Sequence, residues 1–330
     1  MTTTRTPRLG FRVLGSATNR RRLVDAGAAL AAYCACDPRA EVEREAYLSA
    51  FTFGEDFRRH LAETGSTRDY AGPGWASWLW FDIDREDDLE AALTAARRLA
   101  AGMLQRYPAL NDDDLLLFFS GSKGAHVGLP VTWGAAPSGT FHRAARRYCE
   151  ALAAAAGVSI DSGVYDKVRL FRAPNSRHPK TGLHKRRLTY AELMRLPADR
   201  VRRLAAEPEP FDLPAVSAAD DQAAADWRAA LQAVERDAEA KAQRRAPAVT
   251  DGARRLNRAT LDFIRDGADQ GDRHRRLFSA AANLAELACP PALAHALLTE
   301  AALDSGLTPS DVRRQIECGL AHAGKGAADA

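Results

Sequence analysis

The stretch Trp78-Leu79-Trp80-Phe81-Asp82-Ile83-Asp84 constrains this chain more than any other. A short run this rich in aromatic and aliphatic residues predicts a buried strand. Side chains on a strand alternate between faces, so Asp82 and Asp84 project the same way while Phe81 and Ile83 enter the core. Two carboxylates about 7 Å apart at the end of an apolar strand repel unless a cation lies between them, and Mg2+ or Mn2+ accepts oxygen ligands in that arrangement. A D-x-D pair alone is weak evidence; a structural strand-end pair, or an N-cap for the turn from Arg85 to Asp88, is the alternative.

A second element follows the apolar run Leu115 to Phe119: Ser120-Gly121-Ser122-Lys123-Gly124-Ala125-His126-Val127. Two glycines let backbone N–H groups approach an anion, and the hydroxyls, Lys123 and His126 are donors for phosphate oxygens. It is not a Walker loop, because the terminal Gly-Lys-Ser/Thr is missing and the next element is a strand. An ordinary glycine hairpin is the alternative.

The third element is Ile160-Asp161-Ser162-Gly163-Val164-Tyr165, then Arg169, Arg172 and Pro174-Asn175-Ser176-Arg177-His178. Asp161 is the candidate third carboxylate, with Asp166 competing. Arg172, Ser176 and His178 are candidate triphosphate donors, and Arg169, Arg177, Lys180, Lys185, Arg186 and Arg187 are candidate partners for a nucleic-acid backbone. The chain has 40 arginines and only six lysines, four of which (Lys123, Lys167, Lys180, Lys185) fall in these two motifs. Where arginine is the default cation, a lysine suggests that a compact charge is wanted.

Around these motifs, alternating helical and strand patterns predict a mixed α and β domain. Helical spacing occupies much of Leu23 to Leu61, then Asp88 to Tyr107 and Phe141 to Ala156; strands are expected at Trp78 to Ile83, Leu115 to Phe119, Ala125 to Leu129 and Val168 to Phe171. Most of Trp75, Trp78, Trp80, Tyr165 and Phe171 are expected in the core, and Asp112 to Asp114 in a solvated turn. Composition then shifts to proline, alanine and acids, and Trp227, Leu231 and Val234 mark one face of a long helix. Only helical patterns remain after Asn257. The expected organisation is a domain over 1–195, a linker and connecting helix over 196–250, and a small helical domain over 251–330, frayed after Ala323.

A net charge of +3 hides an asymmetry. Residues 1–22 carry six arginines and no acid, and residues 161–190 are also net +6, leaving the remainder at −9. Such clustering suits a local polyanion site, although a disordered basic tail explains the N-terminal run equally well. No apolar run approaches a membrane span, and the arginine-rich start continues directly into helix-like sequence, so a soluble cytoplasmic protein is expected. The five cysteines form no CxxC pair, so no zinc site is expected.

Taken together, D-x-D after an apolar strand, S-G-S-K-G-x-H-V, and h-D-x-G-V-Y-x-x-x-R-x-x-R resemble the three-motif signature of the archaeo-eukaryotic primase superfamily, over about residues 40–190. The second motif looks like the polymerase domain of bacterial end-joining ligases, and the third looks more like stand-alone primase-polymerases and plasmid or phage primases. The run from Arg172 through Ser176 to His178 is similar to the nucleotide-binding stretch of replicative primase small subunits. More weakly, Gly271 to Phe278 and the helices beyond look like the helical C-terminal domain of mobile-element primases. The resemblance implies an α+β fold: a catalytic core with an RRM-like mixed sheet and an αβ module, followed by a small all-helical domain. It implies a metal-dependent, template-directed nucleotidyltransferase, a DNA primase or primase-polymerase that uses NTPs or dNTPs on a single-stranded DNA template, with a replicative helicase as a further candidate partner. Asp82, Asp84 and Asp161 would hold two divalent ions, while Ser120, Ser122, Lys123, Gly124, His126, Arg169, Arg172, Ser176 and His178 would bind the nucleotide. The alternatives are an end-joining or gap-filling repair polymerase and a catalytically idle nucleic-acid-binding protein. The chain departs from many relatives in lacking a cysteine-rich zinc module.

Overall fold

The computed structural model describes residues 8–67, 69–86, 88–215, 218–245, 256–269 and 271–324. Arg5 in the basic N-terminal run, the end of the expected linker (246–250) and the expected frayed tail from residue 325 lie outside the described residues. The chain divides into two units, 1–244 and 245–330.

The first unit is α+β. In chain order it contains β1 (Leu9–Leu14), β2 (Arg22–Asp25), α1 (Ala26–Cys34), β3 (Ala46–Ser49), β4 (Thr52–Phe53), α2 (Glu55–Thr64), β5 (Gly74–Trp75), β6 (Trp78–Asp84) and α3 (Leu89–Arg106). It continues with β7 (Leu116–Phe119), β8 (Gly124–Pro130), α4 (Phe141–Ala155), β9 (Leu170–Arg172), β10 (Arg186–Leu188), α5 (Tyr190–Arg195), α6 (Ala198–Leu204) and α7 (Asp221–Arg245). One sheet has the order β5-β4-β1-β3-β9, with β2 also on β1; the other has the order β10-β7-β8-β6. Every pairing between these strands is antiparallel, which corrects the expectation of a sheet mixed in strand direction.

Strand β6 forms one edge of the second sheet. Leu79, Phe81 and Ile83 alternate inward and are buried, whereas Asp82 and Asp84 share the other face. Helix α3 covers the sheet with Leu89, Ala92, Leu93, Ala96, Leu99, Ala100 and Met103, the i, i+3, i+4 stripe of an amphipathic helix. Its N-cap is Asp88, whose carboxylate accepts from Ala91 N at 2.9 Å. The capping role weighed for Asp82 and Asp84 is therefore filled by Asp88.

The helical expectation for Leu23 to Leu61 holds only for α1 and α2. Between them the chain forms β3 and β4, which pair with β1 at Arg12–Leu14 and Leu9 respectively. Long-range pairing overrides the local alanine-rich pattern here, because Phe53 stacks on Phe57 at 4.2 Å and Phe57 meets Phe11 at 5.1 Å.

Of the expected linker and connecting helix, residues 196–244 fall in the first unit. Trp227 of α7 is buried against Phe141 at 5.0 Å and near Trp133 and Tyr148, both at 5.9 Å. Arg106 grips Asp226 with two bonds of 2.6 and 2.7 Å, and the Tyr107 hydroxyl donates to the same carboxylate. The second unit comprises α8 (Arg258–Asp266), α9 (Arg273–Glu286), α10 (Pro291–Asp304) and α11 (Pro309–Gly324). Phe263, Leu277, Leu284, Leu298 and Ile316 form its core. No helix among the described residues is long and apolar enough to cross a membrane.

His142 on α4 gives the first unit a pH signature. Burial, reinforced by Lys167 and Arg143, pushes its imidazole down to about 4, and its Nδ1 is buried without a hydrogen-bond partner. Because the folded pKa lies below the unfolded value near 6.5, the unfolded chain binds more protons between these limits. This contribution to stability is complete above pH 6.5 and is lost as pH falls through about 4. All five tryptophans lie in the first unit, so urea unfolding followed by tryptophan fluorescence reads that unit alone. His142→Phe is expected to flatten the acid limb of stability between pH 6.5 and 4; an unchanged limb would place the protonated ring in solvent.

Candidate active site

Strand register assembles the site's floor. Asp82 lies opposite His126, which in turn lies opposite Phe118, across β6, β8 and β7. His126 Nε2 stands 3.4 Å from Asp82 Oδ1, and Phe171 of β9 covers the imidazole at 4.2 Å. Burial pushes His126 down to about 4, with Lys185 and Arg172 adding to the shift, so it is neutral at neutral pH. Burial alone would raise the Asp82 carboxyl, but His126, Lys185 and Arg169 outweigh it and hold the group below its usual value. Asp84 moves the other way: burial and then the nearby charges of Asp82 and Asp161 raise it.

The loop between β7 and β8 closes on itself. Ser120 N donates to Gly124 O at 2.9 Å, and Gly124 N donates to Ser120 Oγ at 3.1 Å. The Gly124 N–H is therefore spent inside the hairpin, which corrects its expected place among the phosphate donors. Gly124 instead makes room: a Cβ there would fall 2.0 Å from Asp84 Oδ1 and 2.8 Å from Ile83 O. Gly121 adopts φ +92°, and its carbonyl accepts from Thr181 Oγ1 at 2.5 Å. That bond ties the loop to the third motif.

The third motif docks through its backbone. Asp161 N donates to Asp82 O at 2.9 Å, and the Tyr165 hydroxyl donates to Trp80 O at 2.8 Å, so both ends of the turn are fastened to β6. The segment before Asp161 is not a strand; Asp161 instead caps a 3-10 turn, accepting from Gly163 N at 2.8 Å, with Arg169 at 3.8 Å from its other oxygen. His178 Nδ1 accepts from Lys180 N and Thr181 N, both at 3.3 Å, which leaves the ring proton on Nε2.

A cavity of about 250 Å³ collects most of the expected residues: Asp82, Asp84, Ser120, Ser122, Lys123, His126, Arg169, Arg172 and His178 all line it. Tyr47 of β3 lines it too. Its hydroxyl donates to Glu45 at 2.5 Å and accepts from Arg172 at 3.2 Å. Tyr47 escaped the sequence reading because only the pairing of β3 with β9 brings it here. Arg172 NH1 is buried in this wall with no hydrogen-bond partner.

Several expected ligand contacts are corrected by burial. Ser176 is buried, and its hydroxyl donates to Ala46 O and Ala173 O. Lys185 is 0% exposed; its Nζ donates to Arg172 O at 2.8 Å and lies 4.2 to 5.0 Å from the rings of Phe171, Phe118 and Trp80. Burial drives its amine well below the ordinary lysine value. Arg186 is buried and ion-paired with Glu209. Arg187 donates to Leu115 O at 2.9 Å and lies over Phe211. Lys185 and Arg186 are closed to a nucleic-acid backbone, and Arg187 spends its charge inside the fold. Arg177 and Lys180 remain exposed on the turn after β9.

The carboxylates fit a divalent cation in part. Asp82 Oδ1 is buried without a hydrogen-bond partner, Asp84 is crowded by like charge, and hard oxygen donors suit Mg2+ or Mn2+. Among the described residues no three His, Cys, Asp or Glu side chains form a group that could hold a metal ion. Asp161, the expected third carboxylate, is not among the residues lining the cavity; its side chain accepts from Gly163 N and lies 3.8 Å from Arg169.

No family model matches the chain, and no curated protein matches it. Among solved structures, one titled as the crystal structure of primase RepB′ is similar over 96% of this chain and 89% of that chain, at 15% identity and a TM-score of 0.37.

Proposed function

We propose that this protein is a metal-dependent nucleotidyltransferase that adds NTPs or dNTPs to a strand directed by a single-stranded DNA template, as a primase or primase-polymerase. The observation that carries this is one cavity with carboxylates at one end and phosphate donors around them: Asp82, with its orphaned Oδ1, and Asp84, beside Ser120, Lys123, Arg172 and His178. Asp82 and Asp84 would hold the divalent cation, joined by Asp161 once its carboxylate leaves Arg169. Bound there, the cation would activate the attacking 3′-hydroxyl and neutralise triphosphate charge.

The protein's own groups meet the remaining charge. Arg172, anchored by Tyr47 and by the Lys185 bond to its carbonyl, presents a fixed fork to phosphate oxygens. Lys123 brings an exposed point charge on the loop tip. The Nε2 proton of His178 is directed by the backbone bonds to its Nδ1. Neutral His126 is not a strong base beside Asp82; it packs and orients the carboxylate. The idle nucleic-acid-binding alternative has one observation on its side, the engagement of Asp161 by Arg169.

Arg172→Met tests the nucleotide end of this arrangement. Losing charge-assisted bonds worth about 1.5 to 3 kcal/mol is expected to weaken Mn2+-dependent binding of a fluorescent NTP by roughly 10- to 100-fold. Unchanged affinity would remove Arg172 from the triphosphate site.

A further inference from the structure

With Lys185, Arg186 and Arg187 committed to the fold, only Arg177 and Lys180 of the expected backbone contacts remain exposed, and the first unit carries a second positive surface. The first unit holds an open groove of about 740 Å³ lined by Arg20, Arg21, Arg22, Arg44, Leu14, Asn19 and Leu23. Four guanidinium groups meet there, and no carboxylate is among the lining residues. All four arginines are exposed. Three come from the hairpin joining β1 to β2, so the arginine-rich stretch that sequence left open as a basic tail is ordered into a surface from residue 8 onward. Arg44 comes from a different segment, just before β3, and its ion pair with Glu41 at 2.7 Å leaves that acid outside the lining.

Two tethers join the groove to the candidate active site. Arg21 donates to Val168 O at 3.2 Å, and the next residue, Arg169, lines the catalytic cavity. On the other side Arg44 precedes Tyr47 by three residues, and Gly15 N at the hairpin tip donates to Glu45 O at 2.6 Å. Arg20 and Arg22 make no side-chain hydrogen bond or ion pair within the hydrogen-bond and ion-pair network of the described residues. Gathered like charges destabilise the free surface and are relieved by a polyanion.

We infer that this groove takes the phosphate backbone of a single-stranded nucleic acid and leads it to the cavity, an inference that rests on the function proposed above. A strand is favoured over an acidic membrane because the groove runs toward phosphate-binding groups. The hairpin also carries none of the exposed large hydrophobic residues, which are Met194, Leu261, Leu293 and Leu303. Each arginine-phosphate contact releases counterions and adds about 0.7 to the slope of log K against log salt for single strands.

The test measures binding of a labelled oligothymidylate across a salt series by the full chain, by Arg20→Gln/Arg22→Gln/Arg44→Gln, and by Arg195→Gln/Arg200→Gln/Arg203→Gln, which removes equal charge from exposed sites on α5 and α6. The groove variant is expected to lose about two units of slope, and the control variant little. Equal losses in both variants, or none in the groove variant, would overturn the inference. So would loss of binding to phosphatidylserine vesicles with oligonucleotide binding intact. Tryptophan fluorescence confirms folding of each variant, and a groove variant that unfolds is replaced by Arg20→Gln/Arg22→Gln, with about 1.4 units of slope at stake. Nucleotide incorporation by the wild type, read alongside, separates the two ideas. Incorporation with an unaltered slope sinks the groove alone, whereas a lost slope without incorporation sinks the catalytic proposal and leaves the groove standing.

Discussion

Asp84→Asn is expected to lower template-directed incorporation by roughly 10³-fold, equivalent to about 4 kcal/mol of transition-state stabilisation, without unfolding the protein. The two effects separate because Asp84 serves the site and not the fold. Its side chain is exposed, and it suffers from burial of part of its surface and from the charges of Asp82 and Asp161. Removing one of three neighbouring negative charges relieves repulsion in the metal-free protein, so stability should hold or rise by no more than about 0.5 kcal/mol once solvent screening is allowed for. Urea midpoints and primer-extension rates measured on the same preparation check both. A variant that loses activity together with stability would instead make Asp84 a structural residue.

Lys185→Ala is expected to do the reverse, destabilising the first unit by about 3 to 4 kcal/mol. Truncation leaves a void among Trp80, Phe118 and Phe171 and deprives Arg172 O of its donor. Lys185→Met retains most of the volume and removes a buried amine, so it should cost less than about 1.5 kcal/mol. Tryptophan fluorescence during urea unfolding reads the difference. Neither substitution should change the salt slope of DNA binding while the protein remains folded. A stable Lys185→Ala protein with a reduced slope would return this lysine to the surface.

Lys185 also shows where sequence stops being informative. Lysine is rarely buried without a partner, so a basic run from Lys185 to Arg187 reads naturally as a solvated phosphate contact. The rings that enclose it come from β6, β7 and β9, and nothing local announces that they converge. The same holds for Ser176, whose spacing from Arg172 and His178 suggested a ligand role. Its neighbour Asn175, at φ +57°, bonds to Tyr33 O, Cys34 O and Glu209 O and pins the turn into the core. By contrast, β6, α3 and α4 were legible from a period of their own, and β7 and β8 from short runs that are buried at every position. In β1, Leu9, Phe11 and Val13 alternate just as clearly and are buried. The surrounding arginines drew attention to charge instead, and with that strand went the pairing that brings Tyr47 to the site.

Asp82, Asp84 and His126 were the most legible part of the candidate site, since D-x-D on a strand and a hairpin leading into His126 fix their own geometry through register. Asp161 was legible as a residue but not as a conformation. Its backbone is docked on Asp82, while its carboxylate faces Arg169.

The central claim is that these carboxylates serve nucleotidyl transfer. It is tested most directly by incubating the wild type and Asp82→Ala/Asp84→Ala with a single-stranded template, with and without primer, in NTPs or dNTPs and Mg2+ or Mn2+. The account predicts template-complementary incorporation by the wild type and none by the variant, with DNA binding retained by both. Wild-type protein that binds the template yet incorporates nothing, or a variant that incorporates as well as the wild type, would contradict it.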